Sequence, residues 1–153
     1  MKIQQISLFL ENKPGHLNAI CRKLADAKIN IVTLSLADTQ QFGIVRLIVE
    51  EWERARKVLE EAGFVVNVRE VVAATVNDTP GGMAELLDVI QAAGVNIEYM
   101  YAFTFKHRDK AVLVFRFDKP DEAADALRKA GQNVLDSVEL FKEAACKPRM
   151  QVK

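Results

Sequence analysis

The feature that most constrains the fold of this 153-residue chain is a short turn that occurs twice. Residues 10–17 read Leu-Glu-Asn-Lys-Pro-Gly-His-Leu, and residues 76–83 read Val-Asn-Asp-Thr-Pro-Gly-Gly-Met. Each copy follows an apolar pattern of period two and precedes an apolar stripe at helical spacing, which predicts a strand-to-helix turn. The start of a helix presents unpaired backbone N–H groups and a partial positive charge, and glycine allows close approach to the backbone. The two turns therefore predict sites for a small anionic or zwitterionic ligand.

The rest of the chain repeats together with the turn. A shift of 66 positions superimposes the Pro-Gly pairs of the two turns and an Asn-Ile pair that follows each predicted helix, and a shift of 68 superimposes a later Ala-Gly pair. The change of shift predicts two extra residues in the second copy, near residues 105–109, where a hairpin loop would absorb them. We therefore interpret the chain as a tandem repeat.

Each copy predicts the order strand, helix, strand, strand, helix, strand. The predicted strands are residues 4–10, 30–37, 43–50 and 64–72 in the first copy, and residues 71–76, 96–105, 110–117 and 134–141 in the second. This βαββαβ order is that of an α+β, ferredoxin-like unit, an antiparallel four-stranded sheet with both helices on one face. We predict one domain at residues 1–70, a second at residues 71–141, and a C-terminal tail without a clear pattern at residues 142–153.

The composition argues against several classes of protein. The 21 basic and 21 acidic side chains give a net charge of 0, whereas a nucleic-acid or anionic-membrane partner would favour a basic surface. No apolar run approaches the roughly 20 residues that span a bilayer, and the N-terminus lacks the apolar stretch of a signal peptide. With only Cys21 and Cys146, a disulfide framework is not expected, and Cys21 lies on an apolar helical stripe. We predict a cytoplasmic protein.

The two copies resemble the ACT domain, a small amino-acid-sensing module found as a regulatory domain of metabolic enzymes. The resemblance is carried by the strand leading into Glu-Asn-Lys-Pro-Gly-His-Leu, the helix ending in Ala-Lys-Ile-Asn-Ile, and the paired strands that follow. Copy two has Asn-Asp-Thr-Pro-Gly-Gly-Met and Ala-Gly-Val-Asn-Ile at the corresponding places. The resemblance covers about residues 3–141 and implies a stand-alone tandem ACT protein, related more distantly to the small regulatory subunits of acetolactate synthase.

The resemblance also implies which residues bind a ligand. In serine-sensing members the ligand lies between two ACT units, where it contacts the Asn two positions before the Pro, the turn backbone around the Gly, and the Asn that opens the second strand. Carried over by motif, and with their neighbours in the sequence, the candidate ligand-binding residues are Asn12, Pro14, Gly15, His16, Leu17, Asn30 and Ile31 in copy one and Asp78, Gly81, Gly82, Met83, Asn96 and Ile97 in copy two.

The second copy departs from the family pattern at Asp78, where the family has Asn. An ionised Asp can only accept hydrogen bonds, so the second site favours a ligand ammonium, binds something different, or is degenerate. Leu10 and Val76 stand where the family has a polar residue, which favours an apolar or aromatic amino acid as the ligand. Each feature also has a purely structural interpretation, because Pro-Gly can simply turn the chain into a helix and Asn30 and Asn96 can simply cap it.

Rival functions are less well supported by the sequence. The sequence contains no motif that would combine a nucleophile with a general base and a residue that orients the base. It also contains no phosphate-binding Gly-rich loop and no metal-ligand cluster, so we expect a protein that is not an enzyme and has no cofactor or metal. An RNA-recognition motif shares the βαββαβ order, but its aromatic third strand is replaced here by aliphatic residues after Phe42. The remaining alternative is a regulatory subunit or docking module that acts on a metabolic enzyme in trans without a ligand of its own. Unpaired sheet edges make a homodimer the expected assembly.

Overall fold

The computed structural model describes residues 2–38, 42–107 and 110–145. The chain divides into two compact units, Gln4–Arg69, called the first unit here, and Met1–Ile3 with Glu70–Lys153, called the second unit. Strand β4 runs from the first unit into the second. The elements in chain order are β1 (Ile3–Glu11), α1 (His16–Asp26), β2 (Ile31–Asp38), β3 (Phe42–Val49), α2 (Trp52–Glu61), β4 (Val66–Val76), α3 (Gly82–Ala92), β5 (Ile97–His107), β6 (Lys110–Phe117), α4 (Pro120–Lys129), β7 (Val134–Leu135) and α5 (Ser137–Ala145).

The first unit builds an antiparallel sheet in which β3 pairs with both β1 and β2. Alternate residues of β1 are fully or almost fully buried because they face the two helices. The helices contribute apolar side chains at spacings of three or four residues, which place them on one face. The resulting core contains Ile6, Leu8, Leu10, Ile20, Leu24, Ile29, Val45, Leu47, Val49, Ala55 and Leu59.

The second unit repeats this arrangement, with β6 paired antiparallel to both β4 and β5. The rings of Phe115 and Phe117 stack with their centroids 5.4 Å apart. The core contains Val72, Ala74, Val76, Leu86, Ile90, Val95, Phe115, Phe117, Ala123, Ala124 and Leu127. The predicted α+β fold of two ferredoxin-like units is therefore confirmed. None of the helices within the described ranges is long and apolar enough to cross a membrane.

The repeat extends to irregularities of the backbone. The register between β2 and β3 shifts between Ile31 and Thr33, and the register between β5 and β6 shifts between Ile97 and Tyr99, at positions related by the same offset of 66. A bulge of this kind bends and twists the strand that carries it. Its recurrence means that the two copies share their local geometry as well as their element order.

The extra residues of the second copy coincide with a second irregularity in β5. Ala102 pairs with Leu113 and Lys106 pairs with Ala111, so β5 advances four residues where β6 advances two. At this point β5 therefore contains two residues more than the opposing stretch of β6. The prediction had assigned these extra residues to a hairpin loop near residues 105–109, of which residues 108 and 109 lie outside the described ranges. The register shows that at least part of the extra length is taken up within the strand itself.

The prediction was wrong at the C-terminal end. Residues 134–141 were expected to form one strand, but only Val134–Leu135 pairs with β4, and a helix follows at Ser137–Ala145. The helix begins there because Asp136 and Glu139 form a reciprocal capping box. The Glu139 N–H donates to Asp136 Oδ1 at 2.9 Å, and the Asp136 N–H donates to Glu139 Oε2 at 3.1 Å. The predicted patternless tail thus starts inside α5, and Cys146 with the residues after it lies outside the described ranges.

Candidate ligand-binding site

The two Pro-Gly turns have the same backbone conformation. Gly15 has φ 88° and ψ −17°, and Gly81 has φ 90° and ψ −19°, both in the left-handed region, and each immediately precedes its helix. A Cβ built at either position would meet no atom within 4 Å. Glycine is therefore required by the dihedral angle and not by packing, and the space beside each turn is open.

Each turn leads its chain directly into the first turn of a helix. The carbonyl oxygen of Gly15 accepts the Ala19 N–H at 2.9 Å, and that of Gly81 accepts the Glu85 N–H at 3.0 Å. Because glycine has no side chain, it cannot cap the backbone N–H groups at the helix start as Ser, Thr, Asn or Asp would. Such a helix start is suited to bind the carboxylate of a ligand.

The residue after the glycine differs between the two turns. In the second turn Gly82 is buried, and a Cβ there would lie 2.2 Å from the Asn77 carbonyl oxygen, so this turn folds closely onto its own backbone. The corresponding residue of the first turn is the partly buried His16. The first turn also contains a hydrogen-bonded ion pair between Lys13 and Glu11. The hydrogen bond from Lys13 lowers the pKa of the Glu11 carboxyl.

An open cleft of about 480 Å³ lies against the second turn. Its polar rim is the turn itself, and its walls come from the end of β4, the start of α3 and the adjacent strands β5 and β6. The lining residues are Val76, Asn77, Asp78, Thr79, Pro80, Met83, Met100, Ala111 and Leu113. Two of the residues predicted from the sequence, Asp78 and Met83, thus share one cleft.

The two copies differ in the strand residues beside the turn. In the first unit the Leu36 side chain lies over Gly43, with Cδ1 3.0 Å from where a Cβ would be. The corresponding residues of the second unit are Ala102, by the offset of 66, and Ala111, by the offset of 68. Alanine is shorter than leucine, and Ala111 lines the cleft.

The other predicted residues are distributed around the two turns and the opposite end of each unit. Asn12, Pro14, Asn30 and Asn96 are exposed, whereas Leu17, Ile31 and Ile97 are partly buried. The backbone of Asn96 is held by Asp118. The Asn96 N–H donates to Asp118 Oδ1 at 2.9 Å, and the Asp118 N–H donates to the Asn96 carbonyl at 3.2 Å. Within the described ranges, no three His, Cys, Asp or Glu side chains are grouped so that they could hold a metal ion.

The structure does not bring the turn and the strand-opening Asn together within a unit. On β3, Phe42 pairs with Glu11 beside the first turn, whereas Val49 pairs with Ile31 beside Asn30. The seven residue steps from Phe42 to Val49 correspond to about 24 Å along the strand. A small ligand cannot contact both Asn12 and Asn30 of one unit.

The sequence analysis missed the strand residues of the cleft. Met100 on β5 and both Ala111 and Leu113 on β6 line it, and none of them belongs to the turn motif. The only signal for them was the alternation along these strands, which shows which residues share a face but not which strand residues lie opposite the turn. That information requires the register, in which Ala111 pairs with Val76.

Comparisons with known proteins agree with this architecture. The sequence model of a family described as ACT domain pair matches residues 1–144. Protein BT0572 from Bacteroides thetaiotaomicron is 36% identical, with a TM-score of 0.85 over 93% of this chain and 97% of that chain. The regulatory subunit of aspartate kinase from Thermus flavus shares the fold at 17% identity, with a TM-score of 0.61 over 86% of this chain and 94% of that one. None of the curated proteins compared with the chain matches it. From its repeated turns, its two βαββαβ units and the family match over residues 1–144, this chain belongs to the ACT domain family as an ACT domain pair.

Proposed function

We propose that this chain is a non-catalytic regulatory protein that binds a free amino acid at the second Pro-Gly turn. The observation that carries the proposal is the cleft at this turn, which combines a polar rim with apolar walls. ACT domains are regulatory modules, and the related aspartate kinase chain is named a regulatory subunit. A ligand-controlled regulatory role is the function that this combination supports best.

The chemistry of the cleft matches the three parts of an amino acid. The Asp78 carboxylate accepts hydrogen bonds from an ammonium, and the helix start after Gly81 suits a carboxylate. Met83, Met100 and Leu113 form an apolar surface for the ligand side chain. We therefore expect an apolar or aromatic amino acid. Charge-assisted hydrogen bonds of about 1.5–3 kcal/mol each, less the cost of immobilising the ligand, correspond to a Kd of about 1 μM to 1 mM.

The first turn is a second candidate site of the same kind. It has the same left-handed glycine at Gly15, and Asn12 stands where Asp78 stands in the second turn. Asn30 lies far from the turn of its own unit, and we propose that its contact with a ligand is made to the turn of another copy of the chain. A homodimer is therefore part of the proposal.

A docking module for a metabolic enzyme in trans is the alternative function. It is favoured by the apolar edge of the first unit, where Leu34 and Leu36 are 42% and 47% exposed on β2. In the described part of that unit β2 pairs with β3 alone, so its other edge offers backbone groups to a partner. Contiguous exposed apolar residues of this kind are typical of protein interaction sites.

A thermal-shift screen of the purified chain against the twenty amino acids tests the proposal. Ligand binding raises the free energy of unfolding of a sensor by RT ln(1 + [L]/Kd), which is about 2.7 kcal/mol at a ligand concentration of 100 Kd. A docking module without a ligand of its own is not stabilised. We expect stabilisation by an apolar amino acid that is lost in Asp78→Ala, which removes the ammonium acceptor, and in Ala102→Leu, which restores the covering side chain of the first unit.

Asp88→Ala is the matched control, because it removes an exposed carboxylate from α3 outside the cleft. This variant should respond to the ligand as the wild-type chain does. If no amino acid stabilises the chain at millimolar concentration, the sensor function is wrong and the docking function remains. If ligand binding survives both cleft variants, the site is elsewhere.

A further inference from the structure

Two of the side chains that line the turn cleft are methionines. The chain contains four methionines, of which Met1 begins it and Met150 lies near its C-terminal end. The other two, Met83 and Met100, are 17 positions apart in the sequence, yet both line the cleft at the second Pro-Gly turn. Both methionines that lie away from the chain ends are therefore found in this one cleft.

The first copy has leucine at both corresponding positions. By the offset of 66, Met83 corresponds to Leu17 and Met100 to Leu34. Leucine and methionine have similar volumes, so the exchange changes the chemistry of the apolar surface more than its extent. A thioether is flexible and polarisable, and its sulfur makes favourable contacts with aromatic rings. At these two positions the second turn therefore offers a surface suited to an aromatic ring, which the first turn lacks.

The two methionines reach the cleft from the helix layer and from the sheet. Met83 is the second residue of α3, beside the turn, and is partly buried against the core of the second unit. Met100 lies on β5 opposite the core residue Phe115 of β6. Because directly opposed residues share one face of a sheet, Met100 is on the face that the helices cover, and its side chain is 40% exposed. A ring bound in the cleft would contact both thioethers and cover the exposed one.

The cleft is long enough for an amino acid with a large side chain. Ala111 pairs with Val76 beside the turn, and β6 advances four residues from there to Phe115, opposite Met100, which corresponds to about 14 Å. A ligand whose ammonium and carboxylate are held at the turn extends towards Met100 only if its side chain is long. The volume agrees, because a cavity of about 150 Å³ accepts benzene, whereas the cleft has about 480 Å³.

We propose that the ligand of the turn cleft is an aromatic amino acid, with its ring held against the thioethers of Met83 and Met100. This inference rests on the proposed function, which it narrows from apolar or aromatic amino acids to the aromatic ones. Val76 and Leu113 supply further apolar contacts, but these favour aliphatic and aromatic side chains of the same area equally. The two methionines are therefore the residues that determine the specificity of the cleft.

The test is isothermal titration calorimetry of the full chain with L-phenylalanine, L-tyrosine, L-tryptophan, L-leucine and L-cyclohexylalanine. The last ligand has the skeleton of phenylalanine with a saturated ring, so it fills nearly the same space without an aromatic face. The tightest of the three aromatic amino acids should bind at least about threefold more tightly than leucine or cyclohexylalanine, since two sulfur–aromatic contacts have at least that effect.

A double variant, Met83→Leu with Met100→Leu, tests the two specificity residues. It gives the cleft the leucines of the first copy at nearly constant volume, so the fold should be retained. Its affinity for the aromatic ligand should fall by about threefold or more, whereas its affinity for leucine should stay the same. Leu87→Met is the matched control, because it places a thioether on an exposed part of α3 outside the cleft and should leave every affinity unchanged.

Two results would overturn the aromatic assignment alone. One is that leucine or cyclohexylalanine binds as tightly as the best aromatic ligand, and the other is that the double variant keeps the preference for the aromatic ligand. In both cases an amino acid still binds, so the proposed function stands while its narrowing fails. If none of the twenty amino acids binds, the proposed sensor function itself is wrong, and this inference is wrong with it.

Discussion

Gly81 and Gly82 are adjacent, but the structure requires glycine at each for a different reason. Gly81 has a left-handed backbone and open space around it, so Gly81→Ala should lower the free energy of unfolding by about 1 kcal/mol. Gly82→Ala should cost about 3 kcal/mol, because its Cβ would lie 2.2 Å from the Asn77 carbonyl oxygen and the backbone must move.

Urea denaturation of the two variants measures this difference. Gly15→Ala is the control, because it has the same left-handed backbone and the same open surroundings as Gly81. It should resemble Gly81→Ala. A cost for Gly82→Ala equal to or below that of Gly81→Ala would show that the second turn relaxes freely.

At the scale of single residues, the sequence could predict the residues that belong to the turn motif. The repeated Pro-Gly pair marked Gly15 and Gly81, and both have the expected position before a helix. It could not predict Met100 and Leu113 as walls of the cleft, because their place beside the turn depends on strand register. It also could not predict that the Leu36 side chain lies over Gly43, since this requires side-chain positions.

At the scale of elements, α5 depends on a short capping interaction. Asp136 accepts the Glu139 N–H, and this hydrogen bond lowers the pKa of Asp136 below its ordinary value of 3.8. Because the folded pKa is the lower one, the stabilisation is present above the unfolded pKa and is lost as the pH falls through the folded value. Asp136→Ala should therefore destabilise the chain near pH 7, and the difference from wild type should shrink below about pH 3.8.

Thermal unfolding of both chains between pH 7 and pH 2.5 tests this dependence. Asp125→Ala is the control, because Asp125 is an exposed carboxylate within α4 that caps no helix. A difference between Asp136→Ala and wild type that stays constant across this pH range would contradict the capping role of the ionised carboxylate.

The elements that the sequence predicted are those with a sustained period. The stripes of α1 and α3 and the alternation of β1 and β6 identified these elements because one face of each is buried. Residues 134–141 alternate for too few positions to distinguish a strand from a helix. The capping box of Asp136 and Glu139 starts a helix there. The bulge in β5 was not predictable because the pattern of one strand contains no information about its partner's register.

At the scale of the whole molecule, the duplication yields two separate cores. Leu24 and Leu86 are both fully buried, the first in the core of the first unit and the second in the core of the second unit. Truncation of either to alanine should cost about 2–5 kcal/mol, because it removes buried apolar area and leaves a cavity. Since each core is built from residues of one unit, the loss of stability should first affect the unit that carries the substitution.

Hydrogen exchange distinguishes local from global loss. Leu24→Ala should reduce amide protection mainly in the first unit, Gln4–Arg69, and Leu86→Ala mainly in residues 70–145. Each variant serves as the control for the other. Strands β1 and β4 each have residues in both units, so a loss of protection in one unit could extend along them into the other. Equal loss throughout the chain in both variants would mean that the pair unfolds as one cooperative body, and the duplication would then be a feature of the fold but not of its stability.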